Sequence, residues 1–382
     1  MRICMVCPSY PPQDVTCGVG DYTRCLAEEL VRQGEQVTVV TSTGYRGDSG
    51  GAVRVLPLIS KWSAAAGWKL LRSRPDPPPD MIHMQYTPDL YGRRAGFVLL
   101  PLMARFVPPR TPVIVTFHTL IGGGLWSKVM APWLLLTADR SISANEEVSD
   151  LIHRHLPALE SRVTEIGIGS NIQVSAAGRD TVRRSERARL GLPDRAPVLA
   201  HFGLVYPGKG LETVFRALPA ILREHPLARL VVVGDTRSED RSYRESLDRL
   251  AREKEIAHAV LWTGRVSSEA VSSLLAAADL FVAPYDAGGT ARRGSLMAGL
   301  AHGLPVVTTA SPVPSSPLRD GANAALVPPG DADALAKRVC ALLASDDERA
   351  RLRAGALALA EQFSWPAIAR RTRALYAQAR QS

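Results

Sequence analysis

Residues 277–309 read AADLFVAPYDAGGTARRGSLMAGLAHGLPVVTT, and the order of residue types in that run decides the fold. Leu280 to Ala283 is a short apolar stretch bounded by a proline, the pattern of a buried parallel strand. Gly288 and Gly289 let the chain bend, Ser295 opens a helix of small residues, and Val306 to Thr309 makes a second buried strand. In such a βαβ unit the helix begins with free N–H groups and the positive end of its peptide dipoles, a setting that takes anions. Arg292 and Arg293 stand beside it, with Gly294 and Ser295 supplying amides. A doubly wound protein with a solvated basic loop would read the same way on these residues alone, so the rest of the chain has to decide.

Working outward, short apolar runs recur at Arg2 to Cys7, Val37 to Thr41, Met81 to Met84, Val113 to Phe117 and Arg140 to Ser143, separated by segments with helical spacing such as Tyr22, Cys25, Leu26 and Leu30. This alternation predicts a parallel sheet. After Asn171 it gives way to a polar, Arg-rich stretch through Pro197, a linker or the edge of a second domain. It restarts at Val198 to Phe202, Arg229 to Val233, Val260 to Thr263, Leu280 to Ala283 and Val306 to Thr309. The expected fold is α/β with two Rossmann-like, doubly wound domains, and a ligand is expected between the carboxyl ends of the two sheets. The Pro-rich RPDPPPD at 74–80 reads as a loop.

A length of 382 residues with 46% hydrophobic and 22% charged residues fits a globular protein of two domains. No run approaches the ~20 apolar residues of a membrane span. The apolar start RICMVC is cut short by Pro8, Pro11 and Pro12, so no signal peptide is legible and a cytoplasmic location is expected. Five cysteines argue against a disulfide framework. Cys4 and Cys7 have the spacing of a metal pair, but they lie in a strand and no second pair follows. The net charge of +9 points to anionic partners. Without an RNA-binding aromatic motif, zinc finger or helix-turn-helix, nucleic acid is not the expected one.

Seven further pieces carry a family resemblance. They are PSYPPQDVTCGVGDYTRCLAEELVRQGEQVTVVT at 8–41, the pair DMIHMQY at 80–86 and VTFHT at 115–119, IGIGSNI at 166–172, HFGLVYPGKGLETVFRAL at 201–218 with LVVVGD at 230–235, and FSWPAIARRTRALY at 363–376. In this order they resemble a family 4 retaining glycosyltransferase of GT-B fold over nearly the whole chain. The resemblance implies an acceptor domain over 1–175, joined by a returning C-terminal helix at 365–382, and a nucleotide-sugar donor domain over 190–364. It also implies that no metal or cofactor is needed beyond the nucleotide diphosphate sugar.

By the resemblance, Gly18 approaches the donor phosphate, with Cys17 where the family has another glycine. Lys209, in PGKG, neutralises the leaving diphosphate, where negative charge builds as the glycosidic bond breaks. His118 contacts the donor sugar near the reaction centre. Three departures accompany these matches: Leu204 replaces a phosphate-binding arginine, and Thr290 and Ala298 occupy the positions of two family glutamates. Arg292, Arg293, Gly294 and Ser295 are the candidates to hold the diphosphate instead, and the ribose partner is unassigned. Asp21, Tyr22, Gln85, Asn145 and Asp286 are candidate acceptor or sugar contacts. Plain alternatives stand beside these: core packing for Tyr22, helix capping for Asn145 and Glu146, a likewise structural place for His83 and Gln85, a satisfied strand-end histidine for His118, a turn for Asp286.

The segment SKWSAAAGWKLLRSR at 60–74 combines Trp62 and Trp68 with Lys61, Lys69, Arg72 and Arg74. It reads as a basic amphipathic helix, either packed on the sheet or in peripheral contact with an anionic membrane. The expected activity is transfer of a hexose-like sugar to a hydroxyl acceptor with retention of configuration. A GT-B sugar-nucleotide epimerase and a non-catalytic sugar-nucleotide or partner-binding protein are the alternatives.

Overall fold

In the computed structural model, described for all residues except 13–16, 49–50, 74–77, 92–94, 121–124, 194 and 382 and for all side chains but those of 95 and 125–128 as well, the chain divides into two units. One comprises Met1–Asn171 with Ser364–Ser382, the other Ile172–Phe363.

The first unit holds strands β1 (Arg2–Val6), β2 (Gln36–Ser42), β3 (Arg54–Ile59), β4 (Met81–Tyr86), β5 (Val113–Phe117), β6 (Arg140–Ser143) and β7 (Val163–Glu165). They form one sheet in the order β3-β2-β1-β4-β5-β6-β7, every described pairing parallel. The order reverses between β1 and β4, because the chain builds outward through β3 and then returns to the other side of β1. Every residue of β4 and β5 is buried, as expected of central strands covered on both faces. One face carries Leu26 and Leu30 of the helix Gly18–Arg32 together with Ile368 and Tyr376 of the C-terminal helix Trp365–Gln381. The other carries Leu70, Phe97, Leu100 and Leu134. The C-terminal helix is fastened by an Arg373–Glu35 ion pair at 2.6 Å, and Trp365 Nε1 donates to the Ser170 carbonyl at 2.6 Å.

The second unit repeats the plan with β8 (Val198–Phe202), β9 (Arg229–Val233), β10 (Val260–Trp262), β11 (Leu280–Ala283), β12 (Val306–Thr309) and β13 (Ala325–Val327). The order is β10-β9-β8-β11-β12-β13, all parallel, with the reversal between β8 and β11.

Several local expectations change. The stretch read as a linker or domain edge contains the helix Arg179–Arg189, whose Arg183 and Arg187 pair with Asp279 at the head of β11, so it belongs to the second unit's packing. The helix after β11 starts at Gly294 with Arg293 as its N-cap residue, one position before Ser295. In 60–74 the helix runs only over Ala64–Arg72, capped by the Ser63 hydroxyl. Trp62 lies before it and packs edge-on against Tyr91 and Phe97 while donating to Ser42 Oγ at 2.9 Å, a core role. Arg74 lies outside the described residues. Among those described, no helix is long and apolar enough to cross a membrane.

Candidate active site

In open parallel sheets ligands sit beyond the carboxyl ends of the strands where the order reverses. In the second unit that point lies between β8 and β11, and the loop after β8 carries Lys209. Two glycines shape this loop: Gly208 and Gly210 hold φ of +92° and +76°. At Gly210 a Cβ would lie 1.9 Å from the Pro284 carbonyl oxygen, so only glycine lets the lysine loop close against the end of β11. Lys209 Nζ is 4.9 Å from the centre of the Tyr206 ring and 5.5 Å from that of Tyr285. The Arg293 guanidinium lies over the same Tyr285 ring at 4.1 Å. Tyr285 Oη shares a hydrogen bond with Ser295 Oγ at 2.8 Å, tying the aromatic to the start of the helix Gly294–Ala301. A Cβ on Gly203 would lie 3.5 Å from Ser295 Cβ and 3.7 Å from Lys209 Nζ, so the lysine and the helix start border one small space.

The electrostatics follow from this crowding. Lys209 is only 8% exposed. Burial, and then the nearby charges of Arg293, Arg292 and Arg237, bring its ammonium down to about 8. An anion in the space would relieve both penalties. Asp286 is exposed; burial of its carboxyl and the Glu212 charge push it up, against the pull of Arg293 and Arg216. Arg292 is exposed and Arg293 half-buried, so the two adjacent arginines are not equivalent. Thr290 and Ala298 are fully buried, Ala298 within the apolar cluster on the inner face of its helix.

In the first unit the reversal lies between β1 and β4. Gly18 is exposed at the first turn of its helix with open space where a Cβ would be, and Cys17 precedes it without a side-chain cap. Gly20 differs, for a Cβ there would lie 2.1 Å from the Ser9 carbonyl oxygen, which makes it a packing requirement. Asp21 is half-buried, 3.5 Å from Asn171 Nδ2, and burial pushes its carboxyl up. Tyr22 is 2% exposed, in the core beside Tyr376, with its ring edge-on to His118 at 4.7 Å.

His118 follows β5 and is half-buried. Its Nε2 lies 2.8 Å from Gln85 Oε1, and its carbonyl accepts from Asn145 Nδ2 at 3.0 Å. Asn145 also caps the helix Glu146–His155 by accepting from the Val148 N–H at 3.1 Å, so one side chain fixes a helix start and the backbone of His118. Glu146 is buried at the first position of that helix. Gln85 and His83 are fully buried on β4, and burial brings the imidazoles of His83 and His118 down to about 3, so both are neutral.

Sequence reading did not single out Tyr206, Tyr285, Arg237 or Gly203. The aromatic in VYPGKG and the one in APYD flank the lysine and the arginines, and an aromatic beside a glycine-rich loop was their only signal. For a metal, one group of three potential ligands gathers among the described residues: Glu224, His225 and Cys340, with ligand atoms within 4.8 Å of one another. It lies at the far end of the helix Leu211–Glu224 from Lys209. Burial and the Glu224 carboxylate push the Cys340 thiol up to about 11.

Known proteins agree with this architecture. The family profile described as "Glycosyl transferase 4-like domain" matches residues 17–169, and that described as "Glycosyl transferases group 1" matches 196–345. A phosphatidyl-myo-inositol mannosyltransferase of Mycobacterium leprae is 26% identical over 98% of this chain and 96% of its own. A D-inositol 3-phosphate glycosyltransferase of Corynebacterium glutamicum is 27% identical over 98% and 96%. Among solved structures, Anabaena HepE in complex with UDP and glucose superposes with a TM-score of 0.76 at 17% identity, over 99% of this chain and 100% of that one. The sucrose-phosphate synthase of Thermosynechococcus elongatus does so with a TM-score of 0.76 at 20% identity, over 99% and 98%. The fold is thus of the GT-B class, two Rossmann-like parallel-sheet units. With one profile matched in each half and relatives along its length, the chain belongs to the group 1 glycosyltransferases and is a glycosyltransferase.

Proposed function

We propose that this glycosyltransferase moves a hexose-like sugar from a nucleoside diphosphate to a hydroxyl acceptor with retention of configuration. The observation that carries the reading is the crowding of Lys209 and Arg293 on Tyr285 at the start of the helix Gly294–Ala301, where burial and mutual repulsion favour a bound anion. Lys209, Arg293 and the amides of Gly294 and Ser295 would hold the diphosphate, Arg293 in place of the arginine that Leu204 replaces. Charge builds on the leaving phosphate oxygen as the bond from the anomeric carbon breaks, and fixed cations lower that barrier. The acceptor oxygen bonds to the anomeric carbon on the same face, and its proton passes to the departing phosphate oxygen. No protein nucleophile is required, and none is assigned. His118 is the first unit's group for the transferred sugar, and Gly18 offers an amide to the phosphate side.

Relatives named for phosphatidyl-myo-inositol and D-inositol 3-phosphate support an anionic polyol acceptor, which also suits the net charge of +9. A thermal-shift screen of UDP-, GDP- and ADP-sugars identifies the donor, since at one ligand concentration a tighter ligand raises the midpoint further. Product analysis with inositol and inositol phosphate then tests transfer. Conversion of the donor sugar without an acceptor would favour an epimerase, and an inverted anomer would overturn retention.

The reading extends to a cytoplasmic protein in peripheral contact with the inner membrane face. Val129, Trp133 and Leu136 are exposed at helical spacing on the helix Leu125–Thr137, and Trp68 and Phe106 are exposed as well. Lys61 and Lys69 add exposed charge, and Arg72 lies over the Trp68 ring. Sedimentation with vesicles containing anionic lipid, lost in Trp133→Glu, tests it; equal sedimentation of both proteins overturns it.

A further inference from the structure

A line of buried hydrogen bonds in the first unit ends on His118. Side chains alternate along a strand, so His83 and Gln85 share one face of β4, and Thr116 stands opposite Gln85 on β5. The C-terminal helix covers that face and brings in Tyr376. His83 Nδ1 lies 2.7 Å from Tyr376 Oη, and His83 Nε2 lies 2.6 Å from Thr116 Oγ1. Gln85 Nε2 is 3.5 Å from His83 Nε2, and Gln85 Oε1 is 2.8 Å from His118 Nε2. The backbone of Gln85 is held in turn by Tyr91 Oη, which donates to its carbonyl at 2.8 Å.

With the Gln85 amide oriented this way, the chemistry of each atom assigns the protons along this line. An amide oxygen only accepts, so the proton beside Gln85 Oε1 is on His118 Nε2. An amide nitrogen only donates, and the Thr116 hydroxyl can donate to the same place, so His83 Nε2 is the acceptor for both. His83 then carries its proton on Nδ1 and donates to Tyr376 Oη. Each of these four contacts then pairs a donor with an acceptor, from the C-terminal helix to the end of β5. His118, neutral and protonated at Nε2, has its Nδ1 left as an acceptor.

We infer that Gln85 is a positioning residue that fixes His118 as its neutral Nε2–H tautomer, so that His118 offers Nδ1 as a hydrogen-bond acceptor to a hydroxyl of the bound sugar. The sugar part of this inference rests on the role given to His118 above; the tautomer does not. With the amide turned over, the same line would run with every proton reversed, and His118 would present Nδ1–H, a donor suited to an oxygen that gains negative charge. The two arrangements assign opposite chemistry to one ring, and the orientation of one amide selects between them.

Long-range proton–nitrogen correlation spectra of the 15N-labelled full chain at pH 7.5 read the tautomer directly, with His118 identified by the signals lost in His118→Gln. The expected pattern is protonated Nε2 and bare Nδ1 in the parent. Gln85→Glu, whose side chain can only accept, keeps the proton on Nε2. Gln85→Leu gives a mixture. A parent with Nδ1–H, or a Gln85→Leu spectrum unchanged at His118, overturns the inference. For the kinetic arm the probe is hydrolysis of whichever UDP-, GDP- or ADP-sugar gives the largest thermal shift. Gln85→Leu should lower kcat by about tenfold to a hundredfold with KM within about twofold, as when a group that acts in the transition state is misplaced. Unchanged kcat with the tautomer lost removes His118 from the reaction while leaving the tautomer assignment standing.

Discussion

The two units share one topology and differ in what stands where the strand order reverses. At β8 and β11 the side chains are cations held close together over Tyr285, with the ammonium of Lys209 brought down to about 8. In the first unit, on β4 at the reversal and on the neighbouring β5, they are neutral groups that satisfy one another, with both imidazoles brought down to about 3. The same scaffold is thus prepared for two kinds of ligand atom. One end gathers cations and suits phosphate, while the other is neutral and presents directed lone pairs, which suits hydroxyls.

The sharpest way to break the comparison is to remove the lysine. Lys209→Ala should reduce turnover by about a hundredfold or more, the range for losing one fixed charge stabiliser, with little change in the melting midpoint because a crowded cation is lost. Wild-type turnover would take Lys209 out of the site.

Next comes the asymmetry of the arginine pair. Arg293→Ala should weaken nucleoside diphosphate binding by roughly tenfold to a hundredfold, the worth of one charge-assisted contact, whereas Arg292→Ala, at an exposed position, should change it by less than about threefold. Titration calorimetry with UDP and GDP decides this, and equal affinity in both mutants would make the pair surface charge.

A smaller effect should appear with pH. Nucleoside diphosphate affinity should fall as pH rises through about 8, where free Lys209 loses its proton, and Lys209→Arg should flatten that fall. The sign for folding is opposite. Lys209 has a lower value folded than unfolded, so the unfolded chain binds the extra proton between about 8 and the ordinary lysine value, and this residue makes stability rise with pH across that window. The neutral network should add no ionisation between pH 5 and 8, which a flat acid limb of kcat/KM would register.

The smallest expected effect is that of chelation. If Lys209, Arg293 and the helix start neutralise the leaving group, activity should survive EDTA. Loss of activity that magnesium or manganese restores would transfer that task to an ion.

Much of this fold is legible in the sequence because central parallel strands are buried on both faces and read as unbroken apolar runs. The strands that escape notice are at or near the edges. Arg54–Ile59 contains Pro57 and is buried only in part, while Val163–Glu165 and Ala325–Val327 have three residues each. At the candidate site, glycines and a lysine in PGKG stand out because loop chemistry is local. Tyr285 does not, since its part depends on two cations brought to one ring by separate loops. Gln85 and His118 are 33 positions apart, and period-two alternation says only which face each occupies; their meeting requires β5 to pair with β4.

The chain crosses between units at Asn171 and again at Phe363, and the helix that follows the second crossing supplies Ile368, Tyr376 and Ala379 to the first unit's core. During synthesis the first unit must therefore wait, with one flank of its sheet uncovered, while all of Ile172–Phe363 is made. At ribosomal speeds of about 5–20 residues per second that wait is on the order of 10 to 40 s. The exposed flank is the one that bears His83. A nascent chain that stalls anywhere in its second unit thus displays the apolar surface that Ser364–Ser382 later covers, a surface that chaperones and proteases can read.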